Sequence, residues 1–431
     1  MTPSPARFFP LEIMRNLNIW GYTLGCRLNS YETDAIVEQI IAELHGVRAA
    51  VQEEADIIVV NTCAVTGKSQ ARSRKAVRTF LTRNPHARII VTGCVAEVFP
   101  GDFTDLDGER VTVVPNAGKG MIPGMLSGTL RGETPGLFPS AAPLNGPRTR
   151  AFLKIQDGCD NRCAYCIVPI ARGPSRSQPR ELVIQQAGEL ARAGYREISL
   201  TGVDIADYGS GLYSDYGLPE LILDLLDIGG FRIRVGSVEP LYLSTAALEK
   251  IAVPGVCSHF HIPFQSGSDR ILSEMGRNYG RARENELLAA LTQLFPGVCL
   301  GCDIIAGFPG ETEEDFQKSM ELADDQRIAY LHVFPYSPRP GTPAASMEQV
   351  HTETVTDRAV QLREASSSSR KAFRKRMLGT VQTVLVEGRA VNGRKIGLSG
   401  NYIPVYAPEG ASEGDMAEVV LTEDNVVWGQ R

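Results

Sequence analysis

The stretch GCDNRCAYCIVP, residues 158–169, places three cysteines within eight residues. Cys159, Cys163 and Cys166 have the spacing C-x3-C-x2-C and follow AFLKIQD (151–157), an apolar run typical of a β-strand. Three thiolates on one short loop can bind one face of a metal ion or cluster. A structural zinc site would need a fourth ligand, but the next Cys or His is Cys257. A disulfide with one free thiol is the other arrangement, and it needs an oxidising compartment.

Length and composition indicate a globular protein of two to four domains. The chain has 431 residues, of which 43% are hydrophobic and 22% are charged. No apolar run approaches the roughly 18 residues that a membrane span requires, and residues 1–20 make a poor signal peptide. We therefore expect a cytoplasmic protein without a membrane partner. Its nine cysteines are then metal ligands, catalytic thiols or buried apolar groups.

The charge distribution leaves two interpretations open. The net charge is −6, but basic residues cluster in KSQARSRKAVR (68–78) and in SSSSRKAFRKR (366–376). These segments are either solvated helix faces or local contacts to nucleic acid. The candidate RNA contacts in the second segment are Arg370, Lys371, Arg374, Lys375 and Arg376.

The patterns divide the chain into four segments. Residues 1–118 alternate strand and helix patterns and predict a small parallel α/β domain, in which Asn29 and Glu32 form a capping box for a helix that ends at Gly46. Residues 119–148 are rich in Gly, Pro and Ser and predict a linker. Residues 149–365 contain six strand–helix units, which predict an incomplete (β/α)6 barrel. Residues 366–431 predict a small all-β domain.

A second set of cysteines is dispersed through the first domain. Cys26, Cys63 and Cys94 each follow a predicted strand. The carboxyl ends of neighbouring parallel strands lie at one edge of a sheet, so these cysteines can meet and share a cluster. The alternative is that each is a small apolar residue at a tight turn. For the remaining three cysteines we expect burial without ligation: Cys257, Cys299 and Cys302.

The compact cysteine motif after the first barrel strand, with Tyr165 before its last cysteine, resembles the radical S-adenosylmethionine (SAM) superfamily. Five motifs at later strand ends agree: TGVDIADYG (201–209), GSVEP (236–240), PFQSGSDRIL (263–272), GFPGETEEDF (307–316) and PYSPRPGTPA (335–344). The resemblance implies a [4Fe-4S] cluster whose open iron binds SAM. It also implies a set of SAM-binding residues, with Gly202 and Asp204 at the methionine end, Gly307 and Pro309 on the adenosine side, and Glu239 and Gln265 nearby.

The order of domains resembles the methylthiotransferases within that superfamily, from about Leu17 to the end of the chain. This resemblance implies two [4Fe-4S] clusters, the second held by the dispersed cysteines and carrying the sulfur that is transferred. It implies that the C-terminal domain is an RNA-binding TRAM domain. It also implies two further partners, an electron donor such as a flavodoxin or ferredoxin and a source of sulfur.

The context of the second cysteine, NTCAVTGKSQARSRKAVR (61–78), together with GCRLN (25–29), resembles the branch that modifies threonylcarbamoyladenosine in tRNA. The predicted reaction is methylthiolation of carbon 2 of that base at position 37. Two other branches stay open, which modify isopentenyladenosine in tRNA or an aspartate in a ribosomal protein. A radical enzyme for a small molecule and an iron–sulfur RNA-binding sensor without catalysis are further alternatives.

Overall fold

The computed structural model describes residues 17–129, 138 and 148–429. The described residues form an N-terminal α/β part, a central part with parallel strands, and a C-terminal antiparallel sheet. This architecture confirms the predicted fold class. The segment examined for a signal peptide lies mostly outside the described residues, as do residues 130–137 and 139–147 of the predicted linker.

The N-terminal part is a parallel sheet covered by helices on both faces. Its five strands within residues 17–129 have the order β2-β1-β3-β4-β5. The central strand β3 reads IIVVNT and is buried along its whole length, as expected for a strand covered on both faces. The strands are β1 (Asn18–Thr23), β2 (Val47–Arg48), β3 (Ile57–Thr62), β4 (Arg88–Gly93) and β5 (Val111–Val113). The helices are α1 (Arg27–Leu44), α2 (Gly67–Arg83), α3 (Cys94–Val98), α4 (Gly101–Thr104) and α5 (Ile122–Ser127).

The start of α1 differs from the prediction. Cys26 is the N-cap residue, so Asn29 and Glu32 lie inside the first turns and do not form a capping box. The Asn29 amide donates to the carbonyls of Leu24 and Thr62, and Glu32 is buried in an ion cluster. Local sequence suggested a cap, but tertiary contacts use both side chains. The helix ends at Leu44, and His45 takes the left-handed C-cap conformation.

The predicted linker begins with regular structure. Helix α5 lies within it, with a proline in its first turn and Gly128 in the left-handed conformation at its end. Ile122 and Leu126 pack into the core beneath the first sheet. The first part of the segment therefore belongs to the N-terminal fold.

The central part contains six parallel strands within the described residues, at the positions that the sequence predicts. Sheet β6-β9-β10 and sheet β11-β12-β13 are joined by a parallel bridge between Ser237 and His261. The strands are β6 (Ala151–Lys154), β7 (Gln156–Asp157), β8 (Arg176–Ser177), β9 (Glu197–Thr201), β10 (Arg232–Arg234), β11 (His259–Gln265), β12 (Cys299–Ala306) and β13 (Ile328–Pro335). Of these, β7 and β8 form a separate antiparallel pair, and the other six are the parallel strands. The helices are α6 (Val168–Arg172), α7 (Arg180–Arg192), α8 (Leu218–Ile228), α9 (Thr245–Ile251), α10 (Asp269–Glu274), α11 (Arg281–Leu294) and α12 (Glu313–Ala323).

The C-terminal part follows one long helix, α13 (Thr352–Arg376), which packs along β13. The predicted boundary between residues 365 and 366 therefore falls inside a helix. The strands form an antiparallel sheet of order β16-β15-β14-β17 in the described residues. They are β14 (Val381–Val391), β15 (Arg394–Ser399), β16 (Pro404–Tyr406) and β17 (Met416–Val420).

A buried ion cluster attaches this sheet to the barrel. The carboxylate of Glu197 on β9 pairs with Arg232 at 2.8 Å and with Arg234 at 2.7 Å. The two guanidinium groups also donate to carbonyls of the C-terminal sheet, among them those of Thr383 and Leu398. Glu197 thus aligns two arginines whose remaining N–H groups reach across the domain boundary.

We predict that Glu197→Gln lowers the free energy of unfolding by about 3–5 kcal/mol, because it leaves two buried arginines without their charge partner. Burial by itself opposes ionisation, but the neighbouring arginines lower the pKa of Glu197 from 4.5 to about 2. The carboxylate therefore stabilises the fold above its unfolded-state pKa, and this contribution is lost as pH falls towards 2. Urea titrations followed by circular dichroism should show that the difference between wild type and variant shrinks between pH 5 and pH 2. A pH-independent difference would contradict this.

Candidate active site

The three dispersed cysteines lie at the carboxyl ends of neighbouring strands of the first sheet. Strands β1, β3 and β4 are adjacent and parallel. Cys26 caps α1 after β1, Cys63 directly follows β3, and Cys94 begins α3 directly after β4. The strand-end geometry that the sequence predicts therefore places all three on one edge of the sheet.

The backbone around these cysteines is tightly packed. A Cβ atom at Gly25, where φ is +99°, would lie 2.8 Å from the Sγ atom of Cys63. The pKa of the Cys63 thiol is raised to about 11, mainly by burial and in smaller part by the charges of Cys26 and Cys94. A thiol with a raised pKa can still serve as a metal ligand, because a bound metal ion replaces its proton.

The compact triplet lies on a loop that backbone hydrogen bonds hold in place. The N–H of Cys159 donates to the carbonyl of Gly173 at 3.1 Å, and that of Cys166 donates to the carbonyl of Cys163 at 3.0 Å. Gly158 has a φ of +73°, and a Cβ atom there would overlap the carbonyl of Pro174. Burial raises the pKa of Cys159 to about 11 and that of Cys166 to about 12, and in both cases the neighbouring thiolates add to the shift.

Arg277 is a functional candidate that the sequence patterns did not identify. Its Nη1 atom donates to the Sγ atom of Cys163 at 3.3 Å, and its Nη2 atom donates to Glu239 at 2.8 Å. The guanidinium therefore places a positive charge beside the compact triplet and orients a predicted cofactor residue. Arg277 lies in a loop after α10, away from any strand end, so its place in the sequence gave no signal.

Two of the predicted SAM-binding residues follow β9 and lie beside the compact triplet. Asp204 accepts a hydrogen bond at 3.0 Å from Asn161, which lies in the cysteine loop. The other carboxylate oxygen of Asp204, Oδ1, is buried and has no hydrogen-bond partner in the part of the chain described. Burial and the charge of Glu239 raise the pKa of Asp204 to about 7. Gly202 forms the turn that lets the Gln156 side chain accept from the N–H groups of residues 203 and 204.

The other predicted SAM-binding residues approach from later strands. Gln265 ends β11 in a left-handed conformation, with φ of +72°. Gly307 has a φ of +72°, and its N–H donates to the carboxylate of Glu311. Pro309 is buried in the same turn. Between these two residues, the ring of Phe308 packs edge-to-face on Tyr165 of the cysteine loop, with ring centroids 6.5 Å apart.

A cavity of about 180 Å³ lies between the loop of the compact triplet and the segment that follows Cys63. Val65 and Thr66 of the first domain line it, shortly after Cys63 in the chain. Cys166 and its neighbours line the opposite side. The rest of the lining comes from Gln265, Asp303, Ile305 and residues 334–337. Cys166 of the compact triplet and two residues that follow Cys63 therefore face one space, although they belong to different domains.

A buried ion cluster connects the two cysteine sites. Glu32 accepts from Lys119 at 2.5 Å, from Lys154 at 2.8 Å and from Arg172 at 2.9 Å. Lys154 and Arg172 also each contact Asp157 at 2.8 Å. These cations hold the pKa of Glu32 well below its usual value, although burial opposes ionisation. Glu32 belongs to α1 after Cys26, while Asp157 and Arg172 flank the compact triplet.

The basic residues at the end of α13 have different environments. Arg374 is buried and donates to the carbonyls of Val427 and Gly429, which indicates a structural role that the sequence did not suggest. Arg376 is exposed and donates to the carbonyl of Gln326. Lys371 and Lys375 are exposed. Arg370, Lys371 and Arg374 line a groove of about 490 Å³ that also includes His332, Phe334 and Trp428.

The three remaining cysteines are buried. Cys299 packs in the cluster beneath the C-terminal sheet, and Cys302 packs in the barrel core. The two therefore face opposite sides of β12, as expected for residues three apart on a strand.

Comparison with known proteins agrees with this geometry. The sequence family described as "Radical SAM superfamily" matches residues 153–323. The family described as "Uncharacterized protein family UPF0004" matches residues 18–114. The threonylcarbamoyladenosine tRNA methylthiotransferase MtaB of Bacillus subtilis is 37% identical, with 79% of this chain and 78% of that protein covered. The protein of the same name from Rickettsia prowazekii is 34% identical, with coverage of 96% and 97%. The chain belongs to the radical SAM methylthiotransferase family.

Other relatives of this chain are named for a different modified base in tRNA. A tRNA-2-methylthio-N(6)-dimethylallyladenosine synthase from Desulfitobacterium hafniense is 33% identical, with 93% of this chain and 94% of that protein covered. Among solved structures, the radical SAM methyltransferase TsrM from Kitasatospora setae has a TM-score of 0.54 at 12% identity, with coverage of 76% and 75%. That likeness shows the fold alone.

Membership in the radical SAM methylthiotransferase family confirms the predicted family, the prediction of an enzyme, and the kind of cofactor. The family uses SAM and [4Fe-4S] chemistry. Within the described residues, no helix is both long enough and apolar enough to span a membrane. The individual SAM contacts and the ligand role of each cysteine stay predictions.

We predict that Glu32→Gln lowers the free energy of unfolding by about 3–5 kcal/mol, because the buried Lys119 then loses its carboxylate partner while Lys154 and Arg172 share Asp157 alone. The matched control is Glu38→Gln on the same helix, which removes a partly exposed pair with Arg48 and should cost less than about 1 kcal/mol. Urea unfolding of the apo-protein, followed by tryptophan fluorescence, measures both. Equal losses in the two variants would contradict a central role for Glu32.

Proposed function

We propose that this enzyme methylthiolates carbon 2 of N6-threonylcarbamoyladenosine at position 37 of tRNA, with two [4Fe-4S] clusters. The observation that supports this best is the cavity that Cys166 of the compact triplet lines together with Val65 and Thr66, which follow Cys63 of the dispersed triplet in the chain. A reaction that joins a radical step to sulfur insertion needs two cysteine sites that reach one substrate atom. The relatives from Bacillus subtilis and Rickettsia prowazekii are both named threonylcarbamoyladenosine tRNA methylthiotransferase, which supports the choice of base.

In this proposal Cys159, Cys163 and Cys166 hold the cluster that binds SAM, and Cys26, Cys63 and Cys94 hold the second cluster. When bound, these groups supply a 5′-deoxyadenosyl radical and the sulfur that is transferred. Three thiolates for each four-iron cluster leave one iron open in each site. An electron donor such as a flavodoxin or ferredoxin and a source of sulfur complete the system.

The chain's own residues position these groups. The unpartnered Oδ1 atom of Asp204 is a suitable acceptor for the amino group of SAM, and Asn161 holds the carboxylate towards the cysteine loop. Arg277 partly neutralises the negative charge of the Cys163 thiolate. Tyr165 and Phe308 form an apolar wall next to the loop, which excludes water from a reactive site.

We assign the tRNA contact to the groove beside α13. Arg370 and Lys371 line it together with Trp428, so the groove offers cations for phosphates and an aromatic ring for a base. The exposed Lys375 and Arg376 extend this basic surface. Because Arg374 is occupied by carbonyls of the C-terminal segment, its replacement would disturb the fold as well as any RNA contact.

The cluster assignment predicts distinct losses for the two triplets. Reconstituted wild type should hold about eight irons, and conversion of either triplet to Ala should leave about four. The variant of Cys159, Cys163 and Cys166 should form no 5′-deoxyadenosine. The variant of Cys26, Cys63 and Cys94 should still form it but yield no methylthiolated product. Iron analysis and liquid chromatography measure these quantities, with Cys257→Ala as the control. A product-forming variant of the dispersed triplet would contradict the second cluster.

The substrate assignment predicts methylthiolation of tRNA that carries threonylcarbamoyladenosine, measured by mass spectrometry of nucleosides after incubation with the reconstituted enzyme. The same tRNA without the modification, isopentenylated tRNA and ribosomal protein are the comparison substrates. Product with isopentenylated tRNA or ribosomal protein, and none with threonylcarbamoylated tRNA, would assign the enzyme to another branch.

A further inference from the structure

The cavity between the cysteine triplets contains one acidic side chain among its described lining residues, that of Asp303 on β12. Two imidazoles face this carboxylate. The Nε2 atom of His261 lies 3.2 Å from its Oδ1 atom, and the Nδ1 atom of His332 lies 3.4 Å from the same oxygen. Radical cleavage and sulfur transfer, as assigned above, give none of these three side chains a role.

The cluster is built and oriented by the strands. Asp303 and His332 are register partners on β12 and β13. The Nδ1 atom of His261 is 2.9 Å from the hydroxyl of Ser237, which fixes the ring. Neither His261 Nε2 nor Asp303 Oδ1 has a partner with hydrogen-bond geometry in the described part of the chain. The two atoms face each other at 3.2 Å, and a carboxylate oxygen that accepts weakly from an imidazole can still accept from a ligand.

The cluster lies where two spaces meet. Asp303 lines the cavity between the triplets, whereas His332 lines the basic groove beside α13. Phe334 lines both spaces, and its side chain is 39% exposed. The side chain of His332 is 52% exposed on the groove side. Phe334 therefore marks the boundary of the two spaces, and a ligand that occupied both would lie against Phe334 and within reach of Asp303 and His332.

We propose that Asp303 and His332 form a binding subsite for the polar substituent of the target base. Asp303 accepts from the ureido N–H or hydroxyl groups of that substituent, and His332 donates to its carboxylate, with Phe334 against the adenine ring. This assignment rests on the proposed function and names the residues that read its substrate. An isopentenyl group has neither donors nor acceptors, so it would cover Asp303 without adding a partner to the two imidazoles, whereas the polar substituent supplies new hydrogen bonds.

Two imidazoles and a carboxylate can also bind a divalent cation. The donor atoms of His261, Asp303 and His332 all lie within 4.8 Å of one another. The substituent is favoured because Asp303 lines the cavity beside Cys166, His332 lines the basic groove, and Phe334 lines both. A ligand that spans both spaces uses this arrangement, whereas a single ion does not need it.

The test compares His332→Phe and Asp303→Asn with wild type. His351→Phe is the matched control, because His351 is exposed at the start of α13 and its side chain caps nothing. Fluorescence anisotropy measures Kd for three anticodon stem-loops, whose base 37 is adenosine, threonylcarbamoyladenosine or isopentenyladenosine. The ratio of kcat/KM on the two modified RNAs is the second measurement.

In wild type and in His351→Phe we expect tighter binding of the threonylcarbamoylated RNA than of the unmodified RNA. In His332→Phe and Asp303→Asn this preference should fall by about tenfold, the effect of losing one hydrogen bond to a charged group. Affinity for the unmodified RNA should change by less than about twofold, since phosphate contacts supply it.

A full preference in both variants would overturn the subsite and leave the proposed function intact. One additional zinc or iron ion per chain, lost in His332→Phe, would overturn it in favour of a metal site. A wild type that modifies only isopentenylated RNA would remove the proposed function and the subsite with it.

Discussion

The carboxylate of Glu32 is the contact on which the relative position of the two cysteine sites depends. It joins α1 of the first domain to Lys154 and Arg172 of the barrel, in surroundings that exclude water. Placing ions there is expensive unless each has a partner, so the arrangement tolerates little displacement. The cluster contains three cations and two carboxylates, so it leaves one positive charge beside two groups of thiolates. That excess favours the negatively charged state that iron–sulfur ligation gives to cysteine.

The same constraint determines the space available to a substrate. Since the first domain is held against the barrel by Glu32, Val65 and Thr66 stay close to the loop of Cys166 and the cavity between them stays small. The groove beside α13, where the arginine and lysine side chains lie, adjoins this cavity at Phe334, which lines both. On the other side of the barrel, Glu197 fixes the C-terminal sheet through Arg232 and Arg234. Two buried carboxylates thus orient both flanking domains relative to one active site.

The features that sequence predicted are those that follow from local pattern and strand direction. Cys26, Cys63 and Cys94 could be placed together because each follows a strand of one parallel sheet. The ion cluster could not be predicted, since Glu32 lies 87, 122 and 140 positions from its partners along the chain. Local pattern even misled there, because Asn29 and Glu32 have the spacing of a cap. Arg277 was missed because it acts from a loop that carries no strand-end motif.

The family comparison separates the reaction from the choice of base. Relatives of similar identity bear names for threonylcarbamoyladenosine and for dimethylallyladenosine. Both reactions insert a methylthio group into a tRNA adenosine, so the cysteine sites alone give no basis for choosing between the bases. The choice must instead depend on side chains that contact the substituent on N6. This substituent is polar and anionic in threonylcarbamoyladenosine and apolar in dimethylallyladenosine. In the subsite that we propose, Asp303 and His332 contact that substituent beside Phe334, and an apolar substituent there would desolvate a carboxylate without offering it a hydrogen bond.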